Sequence, residues 1–440
     1  TSALFPALQP VPAEDFPFLP DCAAAAGAAL QQITLPDWLP EAVLLEARTL
    51  SQRCTYSFTA MRPEAVRALY GRTIPLSASK IDRFAGCRYA FFLQYGLRAA
   101  PWKQAEFDAP LFGSFVHDVL EHVVRAAQEN GGFAAMTDGE ISALTERCMD
   151  ACMGTYLPQG EAAASRERYL SARNRQEAAA VVMDVARELR LSQFAPAAEE
   201  LRFAPGGPLP PIEYRAKSGS GLLTGQIDRV DIYEADGTRY FRIIDYKTGH
   251  KDFDYAELLY GKNLQMLLYL FALESYQKQT GQPMQPAGVL YVPGRCDMVK
   301  LKPGEDPAHA DNERRKDLRR KGLVLNDEAV LHAMESYEKK PQYLPFEHGP
   351  DGLAGDLASP AQLAELERFV TGQVESMIDE ILSGVTAPNP INRGPSDTEC
   401  KYCDFSSACH KDVCSVNTRR FASVTPEEFW QELERRLEHG

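Results

Sequence analysis

Two β-rich runs, residues 222–233 and 240–247, flank Glu234-Ala-Asp-Gly237, and this pattern constrains the fold more than any other in the 440-residue chain. β-branched and aromatic residues suit a pleated, half-buried surface, and a turn signal between two such runs predicts a hairpin. Side chains on a strand alternate between faces, so Asp245 and Lys247 point the same way, about 6–7 Å apart. Asp228, on the preceding strand, can lie opposite or diagonal to them. The hairpin thus brings two carboxylates and an ammonium to one patch.

The flanking segments predict what encloses it. Ser79-x-x-Asp82 opens a helical segment within 76–99 in the manner of a capping box. Residues 112–127 carry an apolar stripe at helical spacing: Phe112, Phe115, Val116, Val119, Val123 and Val124. Residues 130–195 read as an inserted helical bundle, 263–276 as an amphipathic helix, and 288–292 as a short strand stopped by Pro293-Gly294. Residues 300–358 read as polar and loop-rich, and 361–382 and 426–438 as helices, the last with Thr425 as N-cap. The order helix, strand, strand, helix, strand predicts an α/β core with a mixed sheet flanked by helices. We divide the chain into a segment 1–75 trailing from a preceding domain and helical near 41–50, a core 76–300 with its insertion at about 130–195, and a C-terminal region 301–440. The chain begins at Thr1 without an initiator methionine, so processing or excision from a longer protein is expected.

Net charge is −14, which argues against a general nucleic-acid coat but not against one local channel. No apolar run reaches the ~20 residues of a membrane helix, and the Ala-rich stretch 22–30 lacks a basic leader. A reducing cytoplasm is the expected compartment, where clustered cysteines suggest metal more than disulfide. There is no G-x-x-x-x-G-K-[ST], hence no Walker-type ATP site, and Asp327-Glu328-Ala-Val330 is then a chance likeness to a helicase box.

Close carboxylates repel unless a cation enters, and hard oxygen ligands favour Mg²⁺, which also takes phosphate oxygens. Lys247 would orient a water or steady developing negative charge. Gln265 and Tyr269, at i and i+4, share a helix face and can brace the site. A solvated surface explains any one of these charges, but not the ordered set.

Gly225-Gln-Ile-Asp228-Arg-Val-Asp231, Ile244-Asp245-Tyr246-Lys247-Thr-Gly249 and Gln265-x-x-x-Tyr269 resemble the PD-(D/E)xK nuclease core of the RecB type. The resemblance implies a restriction-endonuclease-like fold and a deoxyribonuclease whose metal ligands are Asp228, Asp245 and the carbonyl of Tyr246, with Lys247 catalytic. Phe112-Gly113-Ser114-x-x-His117 resembles the helix whose His joins the metal shell, while His122 keeps an ordinary packing role. An acidic residue often precedes the family's first core strand. Glu199 and Glu200 both stand there, and the sequence does not choose between them.

Cys400-x-x-Cys403-x5-Cys409 has metal-ligand spacing suited to Zn²⁺ or an iron–sulfur cluster. Cys414 would make a local zinc site; Cys87 would close a very long loop. Residues 76–97, with Cys87, resemble the opening motif of AddB-type nucleases, whose layout of one Cys before the core and three after it implies a [4Fe–4S] clasp. Cys22, Cys54, Cys148, Cys152 and Cys296 read as unligated. The AddB resemblance covers about residues 76–415 and implies exonuclease action on a single DNA strand fed by an AddA-type helicase partner, in double-strand-break repair by recombination. It makes this chain the nuclease-bearing part, lacking the family's helicase-like region. Two rivals are a non-catalytic iron–sulfur module that binds DNA or a partner, and a CRISPR-adaptation nuclease, typically much shorter. The basic stretches 166–175 and 314–321 read as solvated faces, with DNA guidance as their alternative.

Overall fold

The computed structural model describes residues 40–45, 48, 60–100, 109–156, 165–295, 313–338, 340–350, 352–394, 397–409 and 417–439. The chain forms two compact units, one drawing on 63–85, 101–383 and 421–440, the other on 1–62, 86–100 and 384–420.

The larger unit contains, in order, β1 (Thr73–Leu76), α1 (Ala78–Gly86, its last residue assigned to the other unit), α2 (Ala109–Glu129), α3 (Asp138–Tyr156), α4 (Ser165–Leu191), β2 (Ala195–Phe203), β3 (Ile212–Arg215), β4 (Ser220–Leu223), β5 (Gly225–Ala235), β6 (Thr238–Lys247), α5 (Gln265–Gln279), β7 (Gln285–Pro293), β8 (Lys321–Leu325), β9 (Leu357–Ala358), α6 (Pro360–Leu382) and α7 (Pro426–His439). Six strands form a mixed sheet in the order β9-β8-β7-β6-β5-β2, and β1-β4-β3 form a second sheet. β5 and β6 are the expected hairpin; Asp236 and Gly237 turn it with φ of +49° and +76°, both left-handed. β6 and β7 run parallel, which requires a crossover, and α5 supplies it.

The α2 stripe is the core expected of it: Phe112, Phe115, Val116, Val119, Val123 and Val124 are all buried, and α2 packs on β2, β5, α3 and α4. Thr425 caps α7 through Glu428, as expected.

Several local expectations change. The cap of α1 is Ser77, whose hydroxyl accepts from Lys80 N–H at 3.3 Å; Asp82 instead accepts from Asn263 N–H at 2.7 Å. The run from 222 is split: β4 belongs to the second sheet, Thr224 N–H turns to Leu76 O, and the hairpin strand starts at Gly225. A Cβ at Gly225 would sit 2.5 Å from Tyr269 Oη and 2.8 Å from Phe203 Cζ, so the close approach requires glycine. α5 is buried on both sides, because it lies between β6 and β7 and α6. Residues 300–358 are not merely loop: β8 and β9 extend the main sheet. Asp327 is an N-cap, accepting from Val330 N–H at 3.1 Å, which accounts for the box-like string.

In the smaller unit, Cys87 precedes a helical turn Arg88–Phe91 that continues as Phe92–Gly96. Strand Ile391–Gly394 pairs with Asp397–Thr398 and Arg419–Arg420. Tyr89 Oη donates to Ala408 O at 3.2 Å, and Arg88 N–H donates to Asn389 Oδ1 at 3.0 Å. Ala90, Leu93 and Phe405 form a small core, with Cys87 and Cys403 packed against it. Of residues 41–50 the described ones, 41–45 and 48, are helical.

Candidate active site

Strand register decides which side chains meet. β2 pairs with β5 through Glu199↔Arg229 and Leu201↔Ile227, so Glu200 falls opposite Asp228. β5 pairs with β6 through Arg229↔Ile244, and the next step puts Asp228 opposite Asp245. Directly opposed residues share a face at about 4.5–5.5 Å between Cβ atoms. Glu200, Asp228 and Asp245 therefore form a row across three adjacent strands. This separates the two glutamates: Glu199 lies in the row of Arg229, and Glu200 in the row of the aspartates. Glu200 adopts a left-handed backbone, φ +49°, on a strand bulged between Pro196 and Ala198.

α2 delivers His117 to this row. One ligand atom each from His117, Glu200 and Asp228 lie within 4.8 Å of one another. His117 Nδ1 stands 3.5 Å from Asp228 Oδ2, and Nε2 is 2.7 Å from the carbonyl oxygen of Tyr246. The Tyr246 N–H donates to Asp228 Oδ2 at 2.8 Å. Asp245, outside that tight group, accepts from Gln265 Nε2 at 3.0 Å through Oδ1, and its Oδ2 lies 2.5 Å from Lys247 Nζ. Buried Asp245 Oδ2 has no aligned hydrogen-bond donor. Tyr269 does not touch a carboxylate within this set. It packs edge-on against Phe203 at 4.8 Å with its hydroxyl over Gly225, and burial raises its phenol to about 12. His122 turns away, its Nδ1 2.7 Å from Asp118 O.

The electrostatics follow from burial. Desolvation and the Asp245 charge push the Asp228 carboxyl up, against the opposing pull of His117, the Tyr246 N–H and Lys247. Desolvation pushes Glu200 up to about 7, and the charges of Asp228, Glu121 and Asp118 add to it. Three half-dry acids with one imidazole, a backbone carbonyl and an unsatisfied carboxylate oxygen make a donor set that suits a hard divalent cation.

The opposite faces of the same strands hold a second set that sequence reasoning missed. Arg229 donates to Asp231 through Nε (2.8 Å) and to Tyr246 Oη through Nη1 (2.7 Å). Arg242 Nε donates to Asp231 Oδ2 at 2.9 Å, and its Nη2 lies 3.2 Å from Glu188 Oε1. Arg320 reaches Glu188 and Asp184 at 2.8 and 2.5 Å. All three arginines are fully buried, and three acids match them. Burial alone would raise the Glu188 carboxyl, but Arg320, Arg242 and Arg229 outweigh it and hold it at about 2. Asp184 moves the opposite way, since burial and the Glu188 charge outweigh its single Arg320. Alternation of charge on residues 228–231 was the available signal.

Cys87, Cys400, Cys403 and Cys409 are partly buried thiols of the smaller unit, outside any disulfide. Cys403 N–H donates to Cys400 O at 3.3 Å, turning the loop, and Cys409 ends the short helix Ser406–Cys409. Cys414, Cys22, Cys54 and Cys296 lie outside the described residues. Cys148 and Cys152 share one side of α3, and burial raises both thiols, as packed side chains.

Comparison with known proteins adds the ancestry. Curated proteins named as the AddB subunit of an ATP-dependent helicase/deoxyribonuclease are similar to this chain. The one from Acetivibrio thermocellus is 32% identical over 357 residues, covering 80% of this chain and 31% of its own. That from Caldanaerobacter subterraneus subsp. tengcongensis is 30% identical over 357 residues (79% and 30%), and that from Clostridioides difficile 29% over 361 (79% and 31%). The chain spans about a third of the length of these relatives. Among the described residues no helix is long and apolar enough to cross a membrane. The family pattern described as the PD-(D/E)XK nuclease superfamily matches residues 75–410, which include the acidic row, Lys247 and the four clustered thiols, and the chain belongs to that superfamily.

Proposed function

We propose that this chain is the nuclease-bearing part of an AddB-type protein and hydrolyses DNA phosphodiester bonds with Mg²⁺ at the Glu200–Asp228–Asp245 row. The observation that carries this reading is the register, which lines up three carboxylates beside Lys247 and under His117. His117, Asp228, Asp245 and the Tyr246 carbonyl would hold the ion, with Glu200 as a further ligand. When bound, the ion lowers the pKa of a water and offsets charge on the phosphate. Gln265 orients Asp245, and Tyr269 fixes the strand start at Gly225 behind it. Lys247, one i+2 step along the row's face, places its ammonium where charge develops on the phosphate.

The names of the relatives support a helicase–nuclease context. In that context an AddA-type helicase partner feeds a single strand, the compartment is the cytoplasm, and the work is recombinational break repair. Cys87 is assigned with Cys400, Cys403 and Cys409 as a [4Fe–4S] set, because the turn 87–96 and the loop 400–409 pack in one unit on a shared core. Thiolates so placed serve as a structural tie whose binding energy becomes folding energy.

The test is cleavage of end-labelled single-stranded DNA by the purified chain with Mg²⁺. Wild type degrades it, Asp245→Ala does not, and chelation abolishes the reaction. Activity that persists in Asp245→Ala removes the reading.

A further inference from the structure

The acidic row does not stop at Asp245. β6 pairs with β7 at Asp245↔Tyr291, and β7 pairs with β8 at Tyr291↔Lys321. The same line of side chains thus runs Glu200, Asp228, Asp245, Tyr291, Lys321, turning from acid to base across five strands. At its basic end lies a cleft of about 180 Å³ that shares Lys247 with the active site, and Tyr291 lines it. Lys251, Arg295, Lys316, Arg319 and Lys321 supply the rest of its charge. At ~30 Å³ per water the cleft holds about six waters, room for a phosphodiester group but not for a base pair.

The cations are available. Asp317 is the acid in the lining; the partners of Arg295, Lys316 and Arg319, namely Glu177, Glu313 and Glu347, stand outside it. Lys321 is 3.5 Å from half-exposed Asp252. Such exposed pairs are worth about 0–1 kcal/mol each and yield to a phosphate. Lys251 holds neutral Asn263 and lies 5.8 Å from the Tyr291 ring centre. In a chain of net charge −14, a basic-walled cleft opening from the catalytic Lys is a local feature.

We propose that this cleft is a phosphate subsite, which grips the backbone of a single DNA strand beside the phosphate that lies over the acidic row, so that the strand runs from β5 toward β8. The proposal rests on the nuclease reading, and binding without metal separates the two. The whole chain, in chelator, is titrated with a labelled thymidine oligonucleotide of about ten nucleotides, over a range of salt. Lys316→Gln/Lys321→Gln, at exposed positions, weakens binding about tenfold at low salt and flattens the log–log salt slope by about 1.4, at ~0.7 per lost phosphate contact. Lys316→Arg/Lys321→Arg restores both. With Mg²⁺, kcat/KM falls more for the oligonucleotide than for a chromogenic ester with a single phosphate. Wild-type affinity and slope in the Gln variant overturn the subsite. Loss of binding in that variant, with neither substrate hydrolysed by wild type, upholds the subsite and sinks the nuclease reading instead.

Discussion

Replacing Arg242 with methionine removes one cation from a dry cluster of three arginines and three acids, leaving two against three. The lost contacts are Nε to Asp231 Oδ2 at 2.9 Å and Nη2 to Glu188 Oε1 at 3.2 Å. At an effective dielectric of ~20, each close pair is worth about 5 kcal/mol. Removing the arginine also removes its own desolvation penalty of several kcal/mol, which offsets part of that sum. What remains is a buried acid without its counter-charge, and the expected loss is about 3–5 kcal/mol of unfolding free energy. Urea unfolding followed by far-UV circular dichroism measures it. Adding Glu188→Leu makes the cluster two against two again, and the double variant should recover to within about 2 kcal/mol of wild type. A loss below about 1 kcal/mol in Arg242→Met, or a double variant no more stable than that single one, refutes the argument that charge balance governs this core.

The same carboxylate gives a pH dependence. Glu188 is held at about 2 against an ordinary value of 4.5, so its contribution is present above about 4.5 and lost as pH falls toward 2; stability in that window should fall less steeply in the Glu188→Leu/Arg242→Met double variant, as read by thermal melts. Glu200→Gln should raise the Mg²⁺ needed for half-maximal cleavage by at least about tenfold, whereas Glu199→Gln, in the row of Arg229, should leave it within about threefold; equal effects would place the wrong glutamate in the row. Cys87→Ser should lose visible absorbance and bound iron in anaerobically purified protein; a colourless wild type carrying one zinc would replace the cluster assignment.

The hairpin was legible because its signal is local: two β-rich runs around Asp-Gly, with Asp228, Asp245 and Lys247 spaced by strand alternation. The α2 stripe was legible for the same reason. What escaped needs non-local pairing. Glu200 separates from Glu199 only when β2 is registered on β5. Arg320, read as part of a solvated basic stretch, is buried because Glu188 and Asp184, more than 130 positions earlier, neutralise it. β8 was hidden in a polar segment because Lys321, which opens it, and the arginines before it mask a five-residue strand. The Ser79 cap failed by two residues, since β1 ends at Leu76 and Ser77 offers the first hydroxyl after it.

The strands that carry the carboxylate row also guard it against misalignment. Shifting β5 by a single residue would turn Arg229 toward the cation and press Asp228 against Glu188 in a waterless interior, while the same slip in β6 would exchange Asp245 for a tyrosine. Each error strands like charges together or leaves an ion unmatched. Hydrophobic patterning discriminates poorly here, because both sides of the central strands are covered. Alternating charge therefore acts as the indexing mark by which the polypeptide finds its one workable alignment.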